Sequence, residues 1–303
     1  MNYRRRDALA RVLQEATCQE YPHLRILVID NNSGDGTVEW IREQYPSVEV
    51  AALSENFGTV ARNHGFTPRD VDIVVTLDND VYFDSPQEVA RIVKAFERHP
   101  QAACIAFRVY HPELGALHAR DWCHPRSWET SEHLEFPTYF ITEGASAFRR
   151  SVFDSVDPYW QLLFIGNEGY DLALRLMDAG YEIWYIPDVK VWHMAALDET
   201  RPNWRPFYYN TRNLILIAYR NFPFLGGVLM AGPRIGVLGF YALRHHHFRR
   251  FLSGIWDGLR SYSVVLPLRR RLKNSTLNEV AAMRKQMPSF FKRFLRHWKK
   301  LEF

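Results

Sequence analysis

The sequence predicts an α/β fold, a mostly parallel Rossmann-like sheet flanked by helices, and three observations carry that prediction. Short β-branched runs end in acids at Asp30 and Asp78, Asn- and Gly-containing turns follow the strands, and apolar residues then recur at helical spacing. Strand and helix alternate in this way in βαβ units, whose right-handed crossovers bring Asp30 and Asp78 to one sheet edge. A chain of 303 residues supports a sizeable core in one large domain or two.

The elements follow in order. Leu9, Val12, Leu13 and Ala16 mark an amphipathic helix over residues 7–18. Residues 1–6 before it are polar and basic, so either the sheet lacks its usual first strand or the chain begins upstream. Residues 25–30 form a strand, and the Asn, Gly and Ser residues at 31–37 reverse the chain and open a helix faced by Val38, Ile41 and Tyr45. A strand over 48–53 precedes a glycine-containing turn at 56–63 that enters another helix. Residues 71–80, Val-Asp-Ile-Val-Val-Thr-Leu-Asp-Asn-Asp, read as a buried strand ending in two carboxylates. At the C-terminal end of such a strand, Asp78 and Asp80 suit a hard cation and a diphosphate. Val89, Ile92, Val93 and Phe96 mark the next helix; residues 111–137, rich in His, Pro and Trp, have no clear period and read as a loop. A later apolar strand runs from about 183 to His193.

Three cysteines, Cys18, Cys104 and Cys123, lack metal-ligand spacing and are too few for a disulfide framework, which points to a reducing compartment. No apolar segment of signal-peptide type is visible at the N-terminus, so a cytoplasmic location is expected. The net charge of +4 hides an asymmetry: from Arg234 onward sixteen Lys and Arg stand against Asp257, Glu279 and Glu302. A basic tail on an acidic body points to an anionic surface. Residues 222–243 are apolar but contain Arg234 and Pro233, which favours a helix lying in a membrane interface over one spanning it. The expected partner is therefore the inner face of the cell membrane, held peripherally, and not nucleic acid. Residues 290–300 repeat the pattern, with Phe291, Phe294, Leu295 and Trp298 on one helical face.

Four motifs in order give a resemblance: Val-Ile-Asp-Asn-Asn-Ser-Gly-Asp-Gly-Thr at 28–37, Glu-Asn-Phe-Gly at 55–58, Ala-Arg-Asn at 61–63 and Leu-Asp-Asn-Asp at 77–80. With the runs at 142–150, 168–176 and 189–193, the chain resembles the family 2 glycosyltransferases of the GT-A fold over about residues 3–220. The resemblance implies a transferase domain at 1–220, followed by a basic helical extension at 221–303. It also implies an inverting, metal-dependent transfer from a nucleotide-diphosphate sugar to a saccharide or lipid-linked saccharide of the cell surface. By the same resemblance Asp30, Asn32, Asn56, Gly58, Arg62 and Asp78 would contact the donor. Asp78, Asp80 and His193 would hold Mg²⁺ or Mn²⁺, ions suited to an oxygen-rich site with at most one imidazole. The family places its catalytic base after a Glu, but here that position is Gly169, leaving Glu168 as the first candidate base and Asp171 as the second. Glu143 lies where the family shapes the acceptor and donor-sugar pocket. Two other readings remain at this point: a nucleotide-sugar-binding module that has lost catalysis, and a sugar-phosphate nucleotidyltransferase.

Overall fold

A computed structural model describes residues 1–117, 122–194 and 203–287. Helix α1 (Arg6–Thr17) lays Leu9 and Leu13 against Val28, Ile41 and Val48, residues of strand β1 (Leu27–Asp30), helix α2 (Thr37–Gln44) and the approach to strand β2 (Glu49–Ala52). β1 and β2 pair in parallel. Asn2 takes the place of an inner neighbour strand: its N–H donates to the Ile29 carbonyl at 2.8 Å, and its own carbonyl accepts from Asn31 N–H at 2.9 Å. Residues 58–66 form a 3-10 helix rather than an α-helix.

The second sheet holds β3 (Ile73–Leu77), β4 (Val81–Phe83), β5 (Ala102–Tyr110), β6 (Phe136–Pro137), β7 (Ala145–Arg149) and β8 (Glu182–His193), in the order β3-β7-β5-β8-β4 with β6 beside β8. β5 and β8 run parallel, whereas β3–β7, β5–β7, β4–β8 and β6–β8 are antiparallel. The sheet is thus mixed rather than mostly parallel. The physical reason lies in β7, which arrives from residues 142–144 and inserts between β3 and β5 against their direction. β5 is buried on both faces, and its residues 102–107 are the continuous apolar run of a central strand.

Helix α3 (Glu88–Arg98) covers one face, burying Val89, Ile92 and Phe96 against Ile105, Phe107 and Ile186. The short helix α4 (Trp128–Ser131) lies in the region expected to be a loop. Helices α5 (Glu168–Asp178) and α6 (Arg205–Asn221) cover the other face, where Leu172, Leu174, Leu216 and Ile217 meet Cys104 and Phe148. The chain continues through α7 (Phe224–Arg244), α8 (Phe248–Arg260), α9 (Tyr262–Val265) and α10 (Asn274–Lys285). Met230, Val265 and Val280 from these helices join the same core. The amphipathic helix expected at 290–300 lies outside the described residues.

Candidate active site

β3 ends at Leu77 and the chain turns through Asp78, Asn79 and Asp80 into β4, with Val81 N–H donating to the Asp78 carbonyl at 3.1 Å. Gly144 presses on this turn: its carbonyl accepts from Asp78 N–H at 3.1 Å, and a Cβ there would collide with the Asp78 carboxylate. β4 then pairs with the end of β8 so that Val81 stands opposite His193, and Met194 N–H donates to the Asp80 carbonyl at 2.8 Å. That register brings His193 Nε2 to 3.8 Å from Asp80 Oδ1.

Two arginines answer the two carboxylates. Arg5 donates to Asp80 Oδ2, and Arg62 donates to Asp78 Oδ1. Arg62 is 4% exposed, and its Nε and Nη1 have no hydrogen-bond partner among the described residues. Burial works against its charge, but Asp78, then Tyr159, Glu168 and Glu143, outweigh burial and raise its pKa. Among the described residues no three metal-ligating side chains converge. Asp80 and His193 nevertheless fit a divalent ion as two of its ligands, because carboxylate oxygen and neutral imidazole both suit Mn²⁺ and donor phosphates supply further oxygens in such sites. Asp78, expected in the same shell, accepts from Arg62, as Asp80 accepts from Arg5.

The second half of the site is the start of α5. Asn213 of α6 donates from Nδ2 to the carbonyls of Leu163, Ile165 and Gly166 at 2.8, 2.9 and 2.6 Å, which fixes the loop before Glu168. Gly166 has φ +91°, a left-handed backbone that favours glycine. Glu168 is 1% exposed and its Oε2 has no hydrogen-bond partner among the described residues. Its pKa is raised by burial, with Arg62 opposing. Gly169 N–H donates to Glu143 Oε1. Asp171, the second base candidate, is wholly buried away from this opening: its Oδ2 accepts from Arg175 Nε at 2.9 Å and Arg220 Nη1 at 3.3 Å, its Oδ1 from Asn221 Nδ2 at 2.7 Å. With both oxygens taken by structural donors, Asp171 is not placed to accept a substrate proton.

The first loop is bound up in itself. Asp30, 2% exposed, accepts from Asn2 Nδ2 at 2.9 Å and from Ser33 Oγ at 2.6 Å and N–H at 2.9 Å. Asn32 is exposed with φ +63°. Asn56 Oδ1 accepts from Gly58 N–H at 2.8 Å and from Asn31 Nδ2 at 2.9 Å, while Gly58, at φ +65°, backs onto the Phe164 carbonyl. Asn31, Arg5 and Asn213 organise the site without having been singled out from sequence; only Asn31, inside a recognised motif, carried a signal. Trp122 and Tyr139 are packed inward, Trp122 edge-on to Tyr185 at 5.0 Å and Tyr139 3% exposed.

Residues 1–157 match the family model for glycosyl transferase family 2. The chain belongs to that family. The family 2 domain is accordingly a glycosyltransferase domain, as its relatives also indicate. The N-acetylglucosaminyl-diphospho-decaprenol L-rhamnosyltransferase of Mycobacterium tuberculosis is 25% identical over 256 residues, covering 73% of this chain and 82% of that protein. The O-antigen chain rhamnosyltransferase WbaN of Salmonella anatum is 25% identical over 177 residues, and the match spans 56% of this chain and only 56% of that relative's length. Among solved structures, S. aureus TarS 1–349 in complex with UDP-GlcNAc superposes with a TM-score of 0.56 at 13% identity, covering 88% of this chain and 82% of that one. The mannosyltransferase PcManGT of Pyrobaculum calidifontis, in complex with GDP-Man and Mn²⁺, gives 0.52 at 18% identity over 99% and 78%. At these identities the structures speak for the fold, which is that of GT-A glycosyltransferases.

Proposed function

We propose that this family 2 glycosyltransferase moves a sugar, L-rhamnose first among the candidates, from a nucleotide-diphosphate donor to a saccharide or lipid-linked saccharide acceptor with inversion at the sugar carbon. The observation that carries the reading is the gathering of Arg62, Asp78, Asp80 and His193 at the end of β3 in a family 2 domain whose relatives are rhamnosyltransferases. Arg62 Nε and Nη1, without a hydrogen-bond partner among the described residues, suit diphosphate oxygens, and a guanidinium holds its charge through the transfer. Asp80 and His193 would hold Mg²⁺ or Mn²⁺, whose positive charge offsets the charge growing on the leaving diphosphate. The carboxylates of Glu143 and Glu168 stand at the mouth of α5, where an acceptor proton must go. Asn32, Asn56, Gly58 and Asp30 line the donor side, Asp30 by holding the loop in shape.

Asp80→Ala is expected to abolish glycoside formation from a panel of thymidine-, uridine- and guanosine-diphosphate sugars, and to weaken Mn²⁺ binding measured by electron paramagnetic resonance. Unchanged turnover in that variant would remove Asp80 from the site. Tight nucleotide binding with no turnover in the wild type would favour a binding module.

The extension after residue 220 supports attachment to anionic lipid. α7 is long and apolar enough to cross a membrane, but one face is packed on α6 and α8 through Gly227 and Gly239. Arg234, which breaks the apolar run, is folded inward over the Tyr170 ring at 4.6 Å. What remains outward is Phe224 at 81% exposure, Leu225, Leu229 and Leu243, continued by Trp256 and Leu259 of α8. Exposed Arg244, Arg249, Arg250 and Arg260 border this surface, the charge an interfacial helix uses on anionic headgroups. Leu229→Glu with Trp256→Glu is expected to release the protein from phosphatidylglycerol vesicles in a sedimentation assay while leaving soluble-acceptor transfer intact. Equal sedimentation of variant and wild type would refute the surface.

A further inference from the structure

We infer that Glu143 is the general base of the transfer, its carboxylate filling the space that a side chain on residue 169 would otherwise occupy. The inference rests on the transferase reading above and on three features of the site. A Cβ built on Gly169 would lie 2.5 Å from Glu143 Oε1, 2.9 Å from its Cγ and 3.1 Å from its Cδ. The Glu143 side chain therefore enters from a different strand connection and ends where residue 169 would project. Gly169 N–H donates to Oε1, which anchors the carboxylate at the first turn of α5, the positive end of the helix dipole. The same connection carries Gly144, which touches the Asp78 turn, so Glu143 and the carboxylate turn are one residue apart in placement.

Exposure then separates the two glutamates. Glu143 is half-buried as a residue, whereas Glu168 is 1% exposed. Burial, and next the neighbouring Glu168, push the Glu143 carboxyl well above the usual carboxylate range, with Arg62 opposing. Glu168 and Arg62 thus position and tune the group that reacts. In the step itself the acceptor O–H bond breaks and its proton passes to Glu143. The oxygen electron pair forms the bond to the anomeric carbon, and the bond from that carbon to the diphosphate oxygen breaks with its electrons leaving on the diphosphate. The proton is later lost to water.

The test uses the full chain, Mn²⁺, and the donor that the wild type turns over. Glu143→Gln keeps an oxygen for Gly169 N–H but cannot take a proton, and is expected to lose roughly 10²–10⁴-fold in transfer. Its thermal shift with UDP and with dTDP should stay that of the wild type. Glu143→Ala should be equally inactive, and Glu143→Ala combined with Gly169→Asp should recover transfer by returning a carboxylate to the vacated space. A purely structural role predicts the reverse, with Glu143→Gln active and the added aspartate without benefit, and either result overturns the assignment. A wild type that makes no glycoside from any donor overturns the transferase reading instead, a failure separate from that of Glu143.

Discussion

Arg62→Ala is expected to lower glycosyl transfer by roughly 10²–10³-fold, the range for removing one preorganised charge partner of a developing anion. A guanidinium that is 4% exposed and leaves Nε and Nη1 without partners is costly to hold unless something meets those groups in the working state. Asp78, whose side chain is 32% exposed, uses only one end of the fork. In the proposed donor site a diphosphate beside Asp78 and Asp80 would supply acceptors for the rest, so the loss should appear in donor binding as well as in turnover. Arg62→Lys keeps the charge but not the planar fork, and should fall between the alanine variant and the wild type. The measurements are kcat/KM for transfer and the thermal shift with UDP and dTDP. If Arg62→Ala binds both nucleotides as the wild type does, Arg62 serves only to neutralise Asp78.

How much of this was legible in the chain depends on the distance over which each feature is decided. The helix at α1 and the strands at β1 and β3 follow from local spacing of Leu9, Leu13, Val28 and Ile73; α1 and β1 lie within two residues of the expected bounds, and β3 ends three residues before the expected Asp80. Strand direction was not legible, because whether β7 runs with or against β3 is decided by pairing between residues some 70 positions apart, such as Thr76 and Ser146. The Asp80–His193 approach was expected from motifs, yet its cause is the β4–β8 register. Asp78 and Asp80 were assigned together to the metal, and nothing local to residues 78–80 shows that each accepts from an arginine elsewhere in the chain, Arg62 and Arg5. Gly169 read as a missing base, whereas the Glu143 side chain that fills its space comes from 26 positions earlier, and only the folded backbone shows it. In the same way Arg234 read as a charge interrupting an apolar helix, and its inward contact with Tyr170 depends on α7 packing over α5.

Asp171→Ala is expected to lower folding stability by about 3–5 kcal/mol, the cost of removing one partner from a buried ion pair. Asp171 is wholly buried at 0% exposure and joins α5 to α6, accepting from Arg175 one turn on, from Arg220, and from Asn221. Arg220 is itself 5% exposed, with burial lowering its pKa and Asp171 the largest force opposing that. Without Asp171 the Arg220 charge is left desolvated over Trp160, whose ring lies 4.5 Å away, and among the described residues Arg175 keeps backbone acceptors such as the Pro158 carbonyl at 2.8 Å. Asp171→Asn retains the shape and an acceptor for Asn221 but not the charge, so its loss should be smaller than that of alanine. Urea unfolding of both variants against the wild type measures the difference. Transfer measured per folded molecule below the unfolding transition is expected to stay near wild type, because Asp171 acts through the α5–α6 contact and not on the acceptor. A stable Asp171→Asn variant that has lost transfer would return Asp171 to the list of bases and displace the Glu143 assignment, since the acceptor proton goes to one base.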